Sequence, residues 1–331
     1  MKVLFIGRTE YLYNTILKII EKHEVCGIIT APAKEEYSKN EDDFQNLANK
    51  LNCPFLKTNK LDDKAINFIR NTTPDIAISV NWVNIINKEI VDCIPKGILN
   101  AHFGDLPSYK GNAVINWALL NFEPFIAFTI HYIEPNKLDS GDIIIQQKIE
   151  ISNNTTVYDI VKLAEISIPS LFFNAINIIE NGNKIFIKQS SLNKPEFRCY
   201  PRLPQYSKID WSKSAKEIDA LIRASTKPYS GAYSYLQISG KIKKVFIWSS
   251  RIVCEETNDK GYPGHIIKND KTNGESWVYT GKGILALKLV QYENENEFKP
   301  GLVWNSIRIS FYIDWEEIIL NLINKLEKKI V

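Results

Sequence analysis

The sequence contains no C-x-x-C pair, and its five cysteines (Cys26, Cys53, Cys93, Cys199, Cys254) are odd in number and widely scattered. Neither a disulfide framework nor a zinc knuckle is encoded, no metal site is expected, and a reducing cytoplasm is the simplest setting. A strong charge of either sign is also missing. Lys plus Arg is 41 against 38 for Asp plus Glu, a formal +3, too weak a bulk field to point to nucleic acid or a membrane. No run of about 18 apolar residues occurs, and the apolar start, Val3 to Ile6, is too short for a signal-peptide core. A soluble chain without an export signal is expected. The first apolar run ends Gly7-Arg8-Thr9-Glu10, one glycine where a dinucleotide fingerprint needs G-x-G-x-x-G, which argues against a tightly held NAD pyrophosphate. Repeats and low-complexity tracts are absent as well.

What is present is an ordinary globular mixture, 44% hydrophobic and 24% charged over 331 residues, enough for about two domains. The first half alternates β-branched runs with helical patterns: Val3 to Ile6, a helix from Thr9 to Lys22, then Val25 to Thr30. Apolar runs follow at Ile76 to Val80, Ile98 to Ala101 and Ile126 to Ile133, with helices near Asp43 to Leu51, Asp62 to Arg70 and Ala113 to Asn121. This is βαβ punctuation and predicts an α/β fold, a Rossmann-like twisted, mostly parallel sheet flanked by helices. A long helix opened by Thr155, with Asp159 four residues on, closes at Asn181-Gly182-Asn183. The expected domains are 1–189 and 207–331, joined over 190–206 by an extended connector carrying Pro195, Pro201 and Pro204. Beyond a helix at Ser214 to Ser225, short strands separated by Ser239-Gly240, Gly261 to Gly264, Asn273-Gly274 and Gly281 to Gly283 predict a smaller OB-like β-barrel.

In an open parallel sheet, ligands bind at the carboxyl ends of the strands. The segment Ile98-Leu99-Asn100-Ala101-His102 puts Asn100 and His102 on one face, because strand side chains alternate. The loop Leu106-Pro107-Ser108-Tyr109-Lys110-Gly111 then ends the strand. Farther on, Leu138-Asp139-Ser140-Gly141-Asp142 signals a tight turn that begins at Asp139. A carboxamide, an imidazole and a carboxylate brought together suit acyl transfer to an amine. The imidazole takes a proton, the carboxylate orients it, and the amide N–H steadies the charge on oxygen.

Asn100-Ala101-His102, Leu106 to Gly111, Ile115-Asn116-Trp117 and Thr129-Ile130-His131 running into Leu138 to Ile143 resemble the formyltransferases that use N10-formyltetrahydrofolate. The similarity continues through Ser207 to Trp211, Ile222-Arg223-Ala224 and Pro228 to Ala232, which look like the linker and barrel start shared by methionyl-tRNA and nucleotide-sugar formyltransferases. The resemblance implies that Asn100 holds the formyl oxygen, His102 is the general base, and Asp139 tunes His102. It also implies that the pterin of the formyl donor is held around Trp82, Asn84, Ile85 and Ile86, with Asp139 nearby. The family often has glycine ahead of position 129, where this chain has Ala127-Phe128.

The acceptor is open between a tRNA and a nucleotide-linked amino sugar. The resemblance implies a basic loop after the second strand in a methionyl-tRNA formyltransferase, because that loop must enter a phosphate field, yet Lys34 to Asp43 here carries five carboxylates and two lysines. The expected acceptor is therefore a sugar, with dTDP the first choice of nucleotide, a UDP-linked 4-amino sugar the alternative and surface polysaccharide (O-antigen) the destination. Arg8, Thr9, Lys110 and Arg202 are candidates for its diphosphate, and Tyr109 and Tyr200 for sugar or base. Two further readings concern the barrel: a nucleic-acid face at Lys241, Lys243 and Lys244, or a homodimer covering Trp304, Phe311, Tyr312 and Trp315.

Overall fold

The computed structural model describes residues 1–34, 37–182, 186–238 and 241–330. Glu35 and Glu36 of the acidic loop, Asn183 of the expected helix stop, and the Ser239-Gly240 turn lie outside the described residues. The chain divides into two compact units, Met1–Arg202 and Leu203–Val331.

In the first unit, the run Val3, Leu4, Phe5 and Ile6 is fully buried, as expected of a central parallel strand covered on both faces. That strand, β1 (Lys2–Gly7), is followed by α1 (Thr9–Ile19), β2 (Glu24–Thr30), α2 (Glu41–Leu51), β3 (Phe55–Lys57), α3 (Asp63–Thr72), β4 (Ile76–Val80), α4 (Lys88–Asp92) and β5 (Ile98–His102). The loop strand β6 (Lys110–Gly111), α5 (Val114–Leu120), β7 (Phe125–Tyr132), β8 (Ile143–Glu150), α6 (Val157–Glu180) and the short β9 (Arg198–Cys199) complete it. The sheet runs β3-β2-β1-β4-β5-β7-β8. β1 to β5 are mutually parallel, whereas β7 and β8 are antiparallel. Strand order reverses between β1 and β4, which opens a crevice at their carboxyl ends. Leu4, Ile6, Ala77 and Ile98 bury one face against α3 and α4, and α1 and α6 pack together on the other.

Helix α6 starts one residue later than its sequence suggests: Thr156 is the N-cap, with Asp159 at the third helical position closing a reciprocal capping box. Its 24 residues are long and apolar enough to cross a membrane by composition. Here Val157, Ile160, Ala164, Ile168 and Phe172 are buried in the unit instead.

The expected connector does not behave as one piece. Residues 190–202 are strapped onto the first unit, where β9 pairs in parallel with β6. Prolines deprive this stretch of regular structure, so its backbone groups bond sideways: the amides of Lys110 and Asn112 donate to the carbonyls of Phe197 and Cys199.

In the second unit, α7 (Ala215–Ser225) precedes β10 (Ala232–Ile238), β11 (Lys241–Cys254), β12 (Ile266–Asp270), β13 (Glu275–Tyr279), β14 (Ile284–Tyr292) and β15 (Glu297–Phe298). The helices α8 (Pro300–Val303) and α9 (Trp315–Ile330) follow. The antiparallel sheet runs β10-β11-β14-β13-β12. Ser310 bridges Gln237 on β10 and His265 just before β12, so one segment spans the two edges in a barrel-like closure. The late aromatics separate: Trp304 and Phe311 belong to the core of this unit, while Tyr312 and Trp315 are exposed. The first two are therefore intramolecular core rather than a surface awaiting a partner.

Candidate active site

Strand register brings the first side chains together. β5 pairs with β7 so that Asn100 lies opposite His131 and His102 opposite Thr129. Directly opposed residues share a face, so the four form one polar patch where β5 ends. The Asn100 Nδ2 donor lies 3.1 Å from Nε2 of His131. Asp139 arrives from the turn after β7, held in the left-handed region at φ 48°. That turn lies against the strand only because position 141 is glycine: a Cβ there would sit 1.9 Å from the Tyr132 carbonyl oxygen.

His102 is 6% exposed, and its Nε2 lies 2.7 Å from the Tyr109 carbonyl oxygen. A carbonyl only accepts, so Nε2 carries the proton and the Nδ1 lone pair is left as the basic site. Nδ1 faces Oδ2 of Asp139 at 3.5 Å, and that oxygen also accepts from the Gly111 amide at 2.9 Å. A proton taken up at Nδ1 therefore appears beside a fixed negative charge. The other carboxylate oxygen is 3.8 Å from Nε2 of His131. Burial holds the His131 imidazole well below its ordinary range, at about 4, with the Asp139 charge pulling the other way and His102 adding to the depression. His131 is thus neutral at physiological pH, and the His102 imidazole, a carboxylate and an oriented amide converge where β5 gives out. That is the equipment for moving an acyl group onto an amine.

The remaining sequence candidates are dispersed. Tyr109 is 7% exposed, its hydroxyl donating to Glu123 at 2.6 Å and its ring edge-on to Phe197. It packs the loop and offers no open aromatic face, because its left-handed backbone (φ 57°) turns the carbonyl toward His102 and the ring inward. Lys110 is equally buried and faces Glu196 at 2.6 Å, so its charge is already matched. Arg8 donates to the carbonyls of Pro32 and Asn81, tying the ends of β1, β2 and β4 together, while Thr9 is 1% exposed. Tyr200 is 63% exposed, under the Arg198 guanidinium, and its carbonyl accepts from the Trp117 indole. Arg202, partly exposed, lies on the same strap. After β4, Ile86 is buried, Trp82 packs partly against the same core, and Ile85 and Asn84 are exposed, the latter donating to the Asn59 carbonyl. The Asn136 amide donates to the Ile86 carbonyl, linking this loop to the segment that carries Asp139.

Two participants are missing from the sequence-derived set. His131 lies two residues past Thr129 on an alternating strand, but only the β5–β7 register places it opposite Asn100. Gln189, just ahead of the strap, donates to the carbonyls of both Asp139 and Gly141 and so clamps the turn from the far side; nothing in the sequence near it signals this.

Comparison with known families decides the class. Residues 1–171 match the formyl transferase model, and residues 204–308 match the model of the formyl transferase C-terminal domain. The chain belongs to the formyl transferases. Among curated relatives of this formyl transferase, the methionyl-tRNA formyltransferase of Alkaliphilus oremlandii is 30% identical over 93% of this chain and 97% of its own. An N-formyltransferase from Helicobacter canadensis, solved with folinic acid and dTDP-3-aminofucose, superposes with a TM-score of 0.64 at 20% identity, covering 88% of this chain and all (100%) of that one. HypX from Aquifex aeolicus, solved with tetrahydrofolic acid, gives 0.57 at 16% identity; the match covers 93% of this chain but 47% of HypX, so this formyl transferase spans about half of that protein.

Proposed function

We propose that this formyl transferase moves a formyl group from N10-formyltetrahydrofolate to the amino group of a nucleotide-linked amino sugar, with a dTDP sugar as the first candidate. For the transfer itself, the supporting observation is the convergence of Asn100, His102 and Asp139 at the end of β5. The folate donor supplies an activated formyl carbonyl. The loop after β4 fits a flat heteroaromatic ring, with Val83 and Ile85 exposed and a backbone tied to the Asp139 segment. In this reading Asn100 donates to the formyl oxygen as negative charge develops there, and Nδ1 of His102 takes the proton from the attacking amine. Asp139 holds the resulting imidazolium in place until it gives that proton to N10 of the folate, as the bond from N10 to the formyl carbon breaks and tetrahydrofolate leaves. An amine is a nucleophile once neutral, so no serine or cysteine is required.

The acceptor is argued from charge. α2 opens with Glu41, Asp42 and Asp43 in its first turn. Lys57 faces Glu41 at 2.8 Å and Lys39 faces Asp43 at 3.3 Å. The pairing with Lys57 and the Ala33 amide bring the Glu41 carboxyl down to about 2, so it stays ionised. A nucleic-acid phosphate approaching this loop meets carboxylates and lysines already engaged. In the barrel, Lys243 and Lys244 face Glu295 and Glu293 at 3.1 and 3.0 Å, which offsets two of the three charges of that candidate patch. The strap carries the remaining candidates, Arg202 for a diphosphate and the exposed ring of Tyr200 for sugar or base. The five thiols are all free, in keeping with a cytoplasmic enzyme.

The full-length similarity to a methionyl-tRNA formyltransferase favours a second reading, in which the acceptor is charged initiator tRNA. One assay separates them. The enzyme is incubated with formyl donor and dTDP-, UDP- or GDP-linked amino sugars, or with charged initiator tRNA, and tetrahydrofolate release is followed by absorbance. Turnover with a nucleotide sugar supports the proposal, and turnover with tRNA alone overturns it.

A further inference from the structure

We infer that His131 is a positioning residue for the transfer, acting as a fixed hydrogen-bond acceptor that sets which way round the Asn100 carboxamide sits. A primary amide presents a donor edge and an acceptor edge of nearly equal shape, and only the donor edge stabilises charge growing on a carbonyl oxygen. Something must choose between them, and the side-chain hydrogen bond that the carboxamide makes is to His131.

The choice follows from a chain of bonds that begins at the main chain. Nδ1 of His131 lies 2.7 Å from the Tyr132 carbonyl oxygen, and a carbonyl accepts only, so Nδ1 carries the proton. In a neutral imidazole the other nitrogen then carries a lone pair. That nitrogen, Nε2, is 3.1 Å from Nδ2 of Asn100, the amide edge that donates. One N–H of Asn100 is committed to His131, the second is left for the formyl oxygen, and the acceptor Oδ1 is turned away. The arrangement is rigid because His131 is 1% exposed and its strand is paired on both sides, with β5 and with β8. Rotating the amide by half a turn would set Oδ1 against the Nε2 lone pair, two acceptors in a dry site. His131 is thus excluded as a second general base: its single lone pair is already occupied, while His102 keeps its own.

The inference rests on the proposed role of Asn100, and the test keeps the two separable. In His131→Asn the shorter amide still reaches the Tyr132 carbonyl but not Asn100. In His131→Gln an acceptor is retained near the former Nε2 position. The expected result is a kcat loss of about tenfold or more in H131N, with KM for both substrates unchanged and kcat largely restored in H131Q; tenfold corresponds to the net worth of one hydrogen bond. N100A alone should lose about 10²- to 10³-fold, as for removal of an oxyanion donor, and H131N placed in that background should cost nothing more. Melting temperatures of all four proteins establish that each is folded. Multiplicative losses in the double variant, or full activity in H131N, overturn the role of His131 while leaving the site intact. Wild-type turnover in N100A overturns the site reading and the inference together.

Discussion

Gly104→Ala tests whether the His102 anchor matters, and the structure sets the size of the effect. A Cβ built at Gly104 lies 2.5 Å from Nε2 of His102 and 2.5 Å from the Tyr109 carbonyl oxygen, the two ends of a 2.7 Å hydrogen bond. The methyl would be wedged into that bond, about 1 Å inside ordinary van der Waals contact with each end. Neither end yields freely: the ring is buried, and the carbonyl belongs to a backbone held by the strap through Lys110 and Asn112. The imidazole must therefore move by about 1 Å and lose the bond that fixes its tautomer. A displacement of that size costs about 10²-fold in turnover, and overpacking costs about 1–3 kcal/mol of stability. The assay is steady-state formyl transfer with both substrates varied, alongside thermal unfolding. The expected outcome is a folded enzyme, a few degrees less stable, whose kcat is down about 10²-fold while KM for each substrate is near wild type. A folded G104A enzyme with wild-type kcat would refute the proposal that transfer depends on the His102 imidazole being fixed by the Tyr109 carbonyl.

His102→Asn should lower kcat by about 10²- to 10⁴-fold while calorimetry finds affinity for the acceptor substrate nearly intact; undiminished turnover would sink the proposed mechanism. His131, depressed to about 4 in the folded protein, titrates near 6.5 when unfolded. The unfolded chain binds the extra proton first, so this stability is complete above about pH 6.5 and is lost as pH falls toward 4, by up to about 3 kcal/mol. Denaturant unfolding from pH 7 to 4 should therefore show a steeper acid loss in wild type than in H131Q, and parallel curves would contradict the buried neutral imidazole. Tyr109→Phe removes a hydroxyl bonded to Glu123 and Asn121. It should cost about 1 kcal/mol of stability without changing kcat, because the backbone of that residue, not its ring, holds His102; a large kcat loss would restore a substrate role to the ring.

The alternation of β-branched runs with helical patterns was sufficient for the α/β architecture, since each central strand is buried on both faces and reads as a continuous apolar run. The N-x-H spacing likewise puts Asn100 and His102 on one face, because strand side chains alternate with period two. The groups that Arg8 and Lys110 bond, the Pro32 and Asn81 carbonyls and Glu196, were not legible in the sequence. A basic side chain looks the same in sequence whether it meets a ligand or a partner such as Glu196, 86 residues away in the chain.

Local preference therefore determined the elements, their order, the separation into two units and the residue types able to do acyl chemistry. Tertiary structure alone decided the antiparallel register that sets His131 against Asn100, the strap that holds the Tyr109 loop, and the glycine-dependent approach that delivers Asp139. The reason is physical: periodicity and turn chemistry are encoded within a few residues, whereas register and close approach are fixed by the mutual packing of segments tens of residues apart.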